Sequence, residues 1–156
     1  MGAEVFIIDD RSVNRKILTK FASSVGDDIN VSDFPNPVEA LDACRRTVPD
    51  LVITDFKMPL MDGVEATRRI KDTHPAIRVL AITTFTSEDY LVPALRAGAG
   101  GYLLKDAEPP AILGAIQAVH RGESVLSPAV ATKLLASIER DRPTVGPTPV
   151  QPGSPD

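Results

Sequence analysis

Five polar residues stand at the ends of short apolar runs, and their types could together carry phosphoryl chemistry. Three are carboxylates, one is a hydroxyl and one is an amine: Asp9, Asp10, Asp55, Thr83 and Lys105. Clustered carboxylates repel one another and need a cation, and oxygen ligands suit Mg²⁺ better than zinc. A carboxylate held near Mg²⁺ can act as a nucleophile on a phosphoryl group and form an aspartyl-phosphate. The metal, the ammonium and the hydroxyl would then share the charge on the transferring oxygens.

The apolar runs that precede these residues have the length and composition of buried strands. Four runs are continuous, as in strands of a parallel sheet covered on both faces: residues 5–8, 51–53, 79–82 and 102–104. A fifth, 29–31, alternates apolar with polar and fits an edge strand. Helical patterns separate the runs, so the sequence predicts an α/β fold with a doubly wound parallel sheet. Ligands of such sheets bind beyond the carboxyl ends of the strands, which puts the five polar residues on one rim.

Apolar stripes at helical spacing predict which helix faces are buried. The residues that form the predicted stripes are Val13, Ile17, Phe21 and Val25; Val38, Leu41, Cys44 and Val48; and Ile112, Ala115, Ile116 and Val119. Pro93 interrupts the helical pattern over residues 88–95. One interpretation is that the fourth helix starts late or is kinked there, and the other is that it simply begins near Val92.

One more amphipathic helix, with Ser127 as N-cap, is predicted after the five alternating strands and helices. It places four apolar residues on one side: Val130, Leu134, Leu135 and Ile138. This face must pack on the domain, on a second chain or on a further domain.

Composition limits the class of protein. The chain has 156 residues, 43% hydrophobic and 24% charged, which is typical of one globular domain. No stretch approaches the length of a membrane helix, and the N-terminus is unlike a signal peptide. The single cysteine predicts a cytoplasmic protein, and a net charge of −4 disfavours direct nucleic acid binding.

Proline is unevenly distributed along the chain. Five of the 14 prolines fall in the last 16 residues, where only two large apolar side chains occur. Such a segment cannot bury enough surface to fold. We therefore divide the chain into a domain over 1–122, an amphipathic linker helix over 123–140 and a disordered proline-rich tail over 141–156.

The sequence resembles the receiver domains of two-component response regulators over about residues 4–121. The residues that carry the resemblance are Asp9-Asp10, the stretch DFKMPLMDG at 55–63, Thr83 and Lys105. The resemblance implies a flavodoxin-like (CheY-like) fold with a five-stranded sheet of order 2-1-3-4-5, followed here by an extra C-terminal helix. It further implies a module that is phosphorylated by a sensor histidine kinase and is not a turnover enzyme, because it catalyses only its own phosphorylation and dephosphorylation.

The same resemblance assigns roles to individual residues. Asp55 would be the phosphoacceptor, and Mg²⁺ would be held by Asp10, Asp55 and the backbone carbonyl of Lys57, with Asp9 assisting. Three further residues would bind the phosphoryl group or switch in response to it: Thr83, Lys105 and Tyr102. Lys57 and Phe85 stand where family members flank the path of attacking water, which predicts a long-lived phosphorylated state. The alternative is that both side chains point to solvent.

The second half resembles the NarL/FixJ type in particular. The residues are the stretches EATRRI at 65–70, ALRAGA at 94–99 and LLKDA at 103–107, together with 122–128. Proteins of that type usually continue into a DNA-binding domain that regulates transcription, and none is expected here. The first half looks more like receivers joined to other outputs, so a mosaic joined near 58–63 is one hypothesis. A truncated parent and a stand-alone receiver are the others.

Other functions fit the sequence less well. A haloacid-dehalogenase-type phosphatase normally has a second aspartate two residues after its nucleophile, where this chain has Lys57. A degenerate receiver acting by phosphorylation-independent protein–protein interaction would lack Asp10, Asp55 or Lys105, and all three are present. Nucleotide-binding loops of the GxxxxGK[ST] or GxGxxG kind do not occur. The apolar last helix also allows a homodimer, and no membrane contact is expected.

Overall fold

The alternation of strands and helices is the organising feature of the chain. The computed structural model describes residues 3–56, 58, 60–83, 88–126 and 128–141. The elements in these ranges are β1 (Ala3–Ile8), α1 (Ser12–Ser23), β2 (Ile29–Phe34), α2 (Pro37–Ala43), β3 (Leu51–Thr54), α3 (Gly63–Thr73), β4 (Arg78–Thr83), α4 (Glu88–Ala97), β5 (Gly101–Leu104), α5 (Pro109–His120), β6 (Val125–Leu126) and α6 (Pro128–Asp141).

The strands form one parallel sheet of order β2-β1-β3-β4-β5-β6. The doubly wound α/β fold and the 2-1-3-4-5 order are confirmed, and the alternating run at 29–31 lies in the edge strand β2. The strand count of five is wrong, because a sixth, two-residue strand extends the other edge. After α5 the chain turns at Gly122, whose φ is +91°, and the Val125 amide donates to the Gly100 carbonyl at 3.1 Å. Two residues are too few to form a recognisable apolar run.

Helices cover both faces of the sheet and bury the apolar runs. On one face, strand side chains such as Ile7 and Ile53 pack with residues of α1 and α5. On the other, Phe6 and Val52 pack with residues of α2 and α3. A third cluster joins β4 and β5 to residues of α3, α4 and α6. The central strands are almost wholly buried, which fixes the positions of the residues at their carboxyl ends.

Two of the predicted helix faces differ from those in the structure. Val13, Ile17, Val38 and Val48 are 66%, 47%, 49% and 51% exposed. The other members of these stripes do pack against the core, and they do so beside Leu18, Ala22, Ala40 and Ala43; they are Phe21, Val25, Leu41 and Cys44. In the α1 stripe, a strict spacing of four residues drifts by about 40° per step around the helix, so the stripe rotates away from the sheet. In the second stripe, Val48 lies beyond the end of α2. The α5 stripe, which mixes steps of three and one, is buried throughout.

The fourth helix begins earlier than the late-start interpretation allows. It runs over Glu88–Ala97 with Pro93 inside it, so the start near Val92 is wrong. Pro93 has no amide hydrogen, so the bond to the Asp89 carbonyl cannot form. The helix still packs onto the domain, since Leu91 and Ala94 are buried.

The last helix packs back onto the domain with part of its predicted apolar face. Val130 is 2% exposed, and Leu134 packs against the same cluster. Leu135 is 64% exposed, so this member of the predicted face does not pack on the domain. It lies about 140° around the helix from Val130. Ser127 and the side chain of Ile138 lie outside the described residues.

Other predictions concern the termini and membranes. Of the predicted tail, residues 142–156 lie outside the described ranges, and the boundaries at 122 and 140 stay predictions. Over the part of the chain that the structure describes, no helix combines the length and apolar character needed to cross a bilayer.

Candidate functional site

The rim at the carboxyl ends of β1 and β3 holds a cluster of three aspartates. Asp9 and Asp10 follow β1, and Asp55 follows β3, which is the neighbour of β1 in the sheet. One carboxylate oxygen from each lies within 4.8 Å of the other two. Asp9 and Asp55 are buried and Asp10 is exposed. Two carboxylates are therefore fixed below the surface and the third opens the cluster to solvent.

Lys105, which follows β5, reaches across the rim to two of these carboxylates. Its Nζ donates to Oδ2 of Asp9 at 2.6 Å and to Oδ2 of Asp55 at 3.1 Å. The Lys105 side chain is 15% exposed, so this interaction is stronger than a surface ion pair. Three carboxylates against one ammonium leave an excess of negative charge in the cluster.

Backbone amides hold the two buried carboxylates in place. Oδ1 of Asp9 accepts from the Arg11 amide at 2.9 Å, and Oδ1 of Asp55 accepts from the Phe56 amide at 2.7 Å. The Asp55 amide donates to the Ile8 carbonyl at 2.9 Å, which ties the end of β3 to β1. Both carboxylates are therefore oriented by neighbouring backbone, so their relative position depends on the sheet.

Arg15 supports the site, and the sequence reasoning missed it. Its Nη1 donates to the Asp9 carbonyl at 2.8 Å and its Nε to Oδ2 of Asp33 at 3.1 Å. Asp33 lies near the end of the edge strand β2, on the same rim. The sequence shows an acid near the end of β2 (Asp33) and an arginine early in α1 (Arg15). Neither residue ends a continuous apolar run, so the pattern that identified the other site residues did not include them.

The loop after Asp55 depends on a close approach at Gly63. A Cβ at this position would lie 2.6 Å from the Asp55 carbonyl oxygen and would collide with the Phe56 ring. The Gly63 amide donates to the Phe56 carbonyl at 2.9 Å. Asp62 caps α3 by accepting from the Glu65 amide at 2.9 Å. The Asp62-Gly63 pair thus brings the start of α3 against the backbone of the candidate nucleophile.

Tyr102 lies beneath the site rather than in it. Its ring is fully buried and meets the Phe56 ring edge-on, with centroids 5.8 Å apart and an interplanar angle of 87°. Phe56 is the residue next to Asp55. Tyr102 therefore contacts the residue next to the candidate phosphoacceptor, with the Phe56 ring between them.

Three predicted site residues cannot be placed in this geometry. Lys57 and Phe85 lie outside the described residues. Thr83 ends β4, so its backbone is on the rim as predicted, but its side chain also lies outside the description.

Cys44 packs in the core away from this site. It is 5% exposed and belongs to the cluster on the α2 and α3 face. Burial raises the pKa of its thiol, which disfavours the reactive thiolate.

The donor set of the aspartate cluster fits a small, hard cation. All three available side-chain ligands are carboxylate oxygens, and one is open to solvent, which leaves room for water and substrate oxygens. Among the residues that the structure describes, none with a nitrogen or sulfur ligand takes part in this cluster.

Known proteins share both sequence and fold with this chain. Residues 5–117 match the response regulator receiver domain. The chain is 35% identical over 136 residues to the uncharacterized transcriptional regulatory protein YhcZ of Bacillus subtilis, covering 87% of this chain and 63% of that protein. It is 32% identical over 142 residues to the nitrate/nitrite response regulator protein NarL of Escherichia coli K12, covering 91% and 66%.

A solved structure agrees with the two sequence relatives. A two-component response regulator of the LuxR family from Aurantimonas sp. SI85-9A1 has a TM-score of 0.80 and 28% identity, over 88% of this chain and 98% of that one. The chain spans less than two thirds of the length of the curated relatives named above. NarL and the Aurantimonas protein are named as response regulators, which are not classical enzymes. The name of YhcZ connects it with transcription, and that of the Aurantimonas protein connects it with two-component signalling. The chain belongs to the response regulator receiver domain family, and its relatives are regulators of the NarL/LuxR type.

Proposed function

We propose that this chain is a phosphorylation switch in which Asp55 accepts a phosphoryl group from a sensor histidine kinase. One observation carries the proposal: the buried Asp55 shares a carboxylate cluster with Asp9 and Asp10 and is paired with Lys105 at 3.1 Å. In the transfer, a carboxylate oxygen of Asp55 forms a bond to phosphorus. The bond from phosphorus to the donor breaks, and the donor keeps the electron pair.

Mg²⁺ is the cofactor that the cluster suits. Asp10, Asp55 and the Lys57 carbonyl would hold the ion, with Asp9 assisting. When bound, it neutralises charge on the phosphoryl oxygens and on Asp55. Lys105 already lies between Asp9 and Asp55, so it can turn to a phosphoryl oxygen on Asp55 without leaving the rim.

The remaining roles follow the position of each residue in the sheet. Thr83 at the end of β4 would donate to a phosphoryl oxygen. Tyr102, buried against Phe56, would respond to that contact and pass the change to the surface formed by α4, β5 and α5. Self-catalysed phosphorylation and dephosphorylation would be the only chemistry of the chain.

The output would be control of association and, in a longer parent protein, of transcription. The partners we propose are a sensor histidine kinase and a second copy of the chain. The chain itself would contact neither nucleic acid nor a membrane. Its parts would be the receiver over 1–122, the linker helix over 123–140 and the tail over 141–156.

The test is phosphorylation by a small phosphodonor. Wild-type chain and the variants Asp55→Asn and Asp62→Asn are incubated with acetyl phosphate, with and without Mg²⁺, and weighed by mass spectrometry. Asp62→Asn is the matched control, because asparagine also caps a helix and Asp62 lies in the same loop. We expect one phosphoryl group on wild type and on Asp62→Asn, with Mg²⁺ only, and none on Asp55→Asn. Equal labelling of all three proteins would refute the proposal.

A further inference from the structure

The last helix covers the surface that α4 and β5 form. α6 contacts both elements, and its Val130 is 2% exposed among residues of the third core cluster. Leu134, one turn later, packs against the same cluster, and Leu135 faces away with 64% of its surface exposed. α6 therefore uses one defined side for this contact.

The surface beneath α6 includes Tyr102 itself. Val130, Tyr102 and Phe56 belong to one cluster of buried side chains. Tyr102 pairs with Leu126 of β6 in the sheet, and Leu126 also packs against that cluster. The segment from β6 into α6 therefore packs along one side of the cluster that contains the fully buried Tyr102 ring.

The same cluster reaches the candidate phosphoacceptor through one residue. The ring of Phe56 contacts Tyr102 edge-on, and its amide donates to Oδ1 of Asp55 at 2.7 Å. A change at Oδ1 of Asp55 therefore acts on a residue whose ring touches Tyr102. Buried clusters have few alternative packings, so a shift at one end is felt by its other members.

From these contacts we propose that α6 is the chain's own occupant of the α4–β5 surface, and that its docking and the phosphorylation of Asp55 strengthen one another. The inference rests on the proposed function of Asp55. In the structure the bond from the Phe56 amide to Asp55, the buried Tyr102 ring and the docked α6 occur together, so a phosphoryl group on Asp55 that stabilises this packing also stabilises the docked helix. Undocking of α6 would expose to water the residues that Val130 covers and the side of the cluster next to Tyr102.

Coupling of this kind is reciprocal. If phosphorylation of Asp55 raises the equilibrium constant for α6 docking, then docking of α6 must raise the affinity for a phosphoryl mimic by the same factor. Loss of α6 docking is therefore measurable at Asp55, and occupation of Asp55 is measurable at α6.

Two variants on the same helix separate docking from charge. Val130→Asp places a carboxylate in the buried cluster, and Leu135→Asp places the same charge on the exposed side of α6. Beryllofluoride with Mg²⁺ serves as the phosphoryl mimic, and its affinity for the full chain is measured by fluorine NMR. We expect Val130→Asp to weaken binding by about fivefold or more and Leu135→Asp to change it by less than about twofold. Val130→Ala, a smaller change, should fall between them and remains informative if the aspartate variant unfolds.

Hydrogen exchange of α6 provides the second arm. In the wild-type chain, beryllofluoride should slow exchange of the amides over 128–141. Unchanged or faster exchange, with the mimic bound, would overturn the inference and leave the role of Asp55 intact. Equal mimic affinity in wild type and in folded Val130→Ala or Val130→Asp would also overturn it. A wild-type chain that fails to bind the mimic would overturn the proposed function, and the inference with it.

Discussion

Nζ of Lys105 lies 2.6 Å from Oδ2 of Asp9, although 96 positions separate the two residues in the chain. The contact is made across the rim of the sheet, from the end of β5 to the end of β1. The same Nζ donates to Asp55 at 3.1 Å, so a single ammonium balances charge on both buried carboxylates. The lysine therefore competes with any cation that the aspartates bind.

The first prediction is that removing this ammonium strengthens Mg²⁺ binding. Lys105→Met keeps the length of the side chain and removes its charge from the carboxylates. We expect Mg²⁺ to bind about threefold to tenfold more tightly, because loss of a nearby positive charge favours a cation by about 1 kcal/mol in a solvated site. Titration calorimetry measures the affinity. Lys133→Met, which removes an equal charge from the exposed side of α6, is the control and should leave it unchanged. Weaker binding by Lys105→Met would contradict the competition.

The second prediction concerns the close approach at Gly63. Gly63→Ala should lower the free energy of unfolding by about 2 kcal/mol or more, because the new Cβ meets the Asp55 carbonyl oxygen and the Phe56 ring. Gly114→Ala is the matched control on α5, where a Cβ meets nothing within 4 Å. That change should raise stability by about 0.5–1 kcal/mol. Urea denaturation measures both, and equal effects at the two positions would refute the steric argument.

The third prediction follows from the raised pKa of Cys44. The folded chain keeps its thiol protonated above the ordinary pKa of 9.0, whereas the unfolded chain ionises there. The stability that this contributes is therefore fully present below pH 9 and declines as the pH rises through the window above it. Alkylation by iodoacetamide at pH 8 should be about a hundredfold slower in the folded chain than in urea, because it requires local opening.

An exposed thiol provides the control for this measurement. Ser23 is exposed at the end of α1, so a Cys44→Ala chain carrying Ser23→Cys should react at similar rates folded and in urea. If Cys44 in the folded chain reacts as fast as this exposed thiol, its predicted role in packing is wrong.

The fourth prediction is a slow loss of the phosphoryl group. The family resemblance implies that Lys57 and Phe85 flank the path of attacking water, so we expect the half-life after removal of acetyl phosphate to be minutes or longer in the presence of Mg²⁺. Replacing both by alanine should shorten it by about tenfold, equivalent to about 1.4 kcal/mol of activation free energy. Quenched samples weighed at intervals give the half-life. A wild-type half-life of seconds would sink the prediction.

The sequence was sufficient where a short apolar run ended in a polar residue. Asp9, Asp55 and Lys105 were placed on one rim because parallel strands share their carboxyl edge, and the structure brings them within bonding distance. It was insufficient where placement depends on tertiary geometry. Arg15 reaches Asp9 only because α1 follows β1 at a particular angle, and β6 exists only because the chain turns back at Gly122.

Exposure was the least predictable property of the helices. Val13 and Leu135 have the apolar character of core residues, yet both face outward because neighbouring residues on their helices meet the domain first. The spacing of apolar residues alone does not determine how a helix is rotated about its own axis when it packs on the sheet.

The most direct test of the account is to locate the phosphoryl group on the chain. Borohydride reduces an aspartyl-phosphate to homoserine, and peptide mass spectrometry then identifies the modified position. After treatment with acetyl phosphate and Mg²⁺, we predict homoserine at position 55 and at no other aspartate. Homoserine at Asp9 or Asp10, or a phosphoryl group on a residue of another type, would contradict the central role of Asp55.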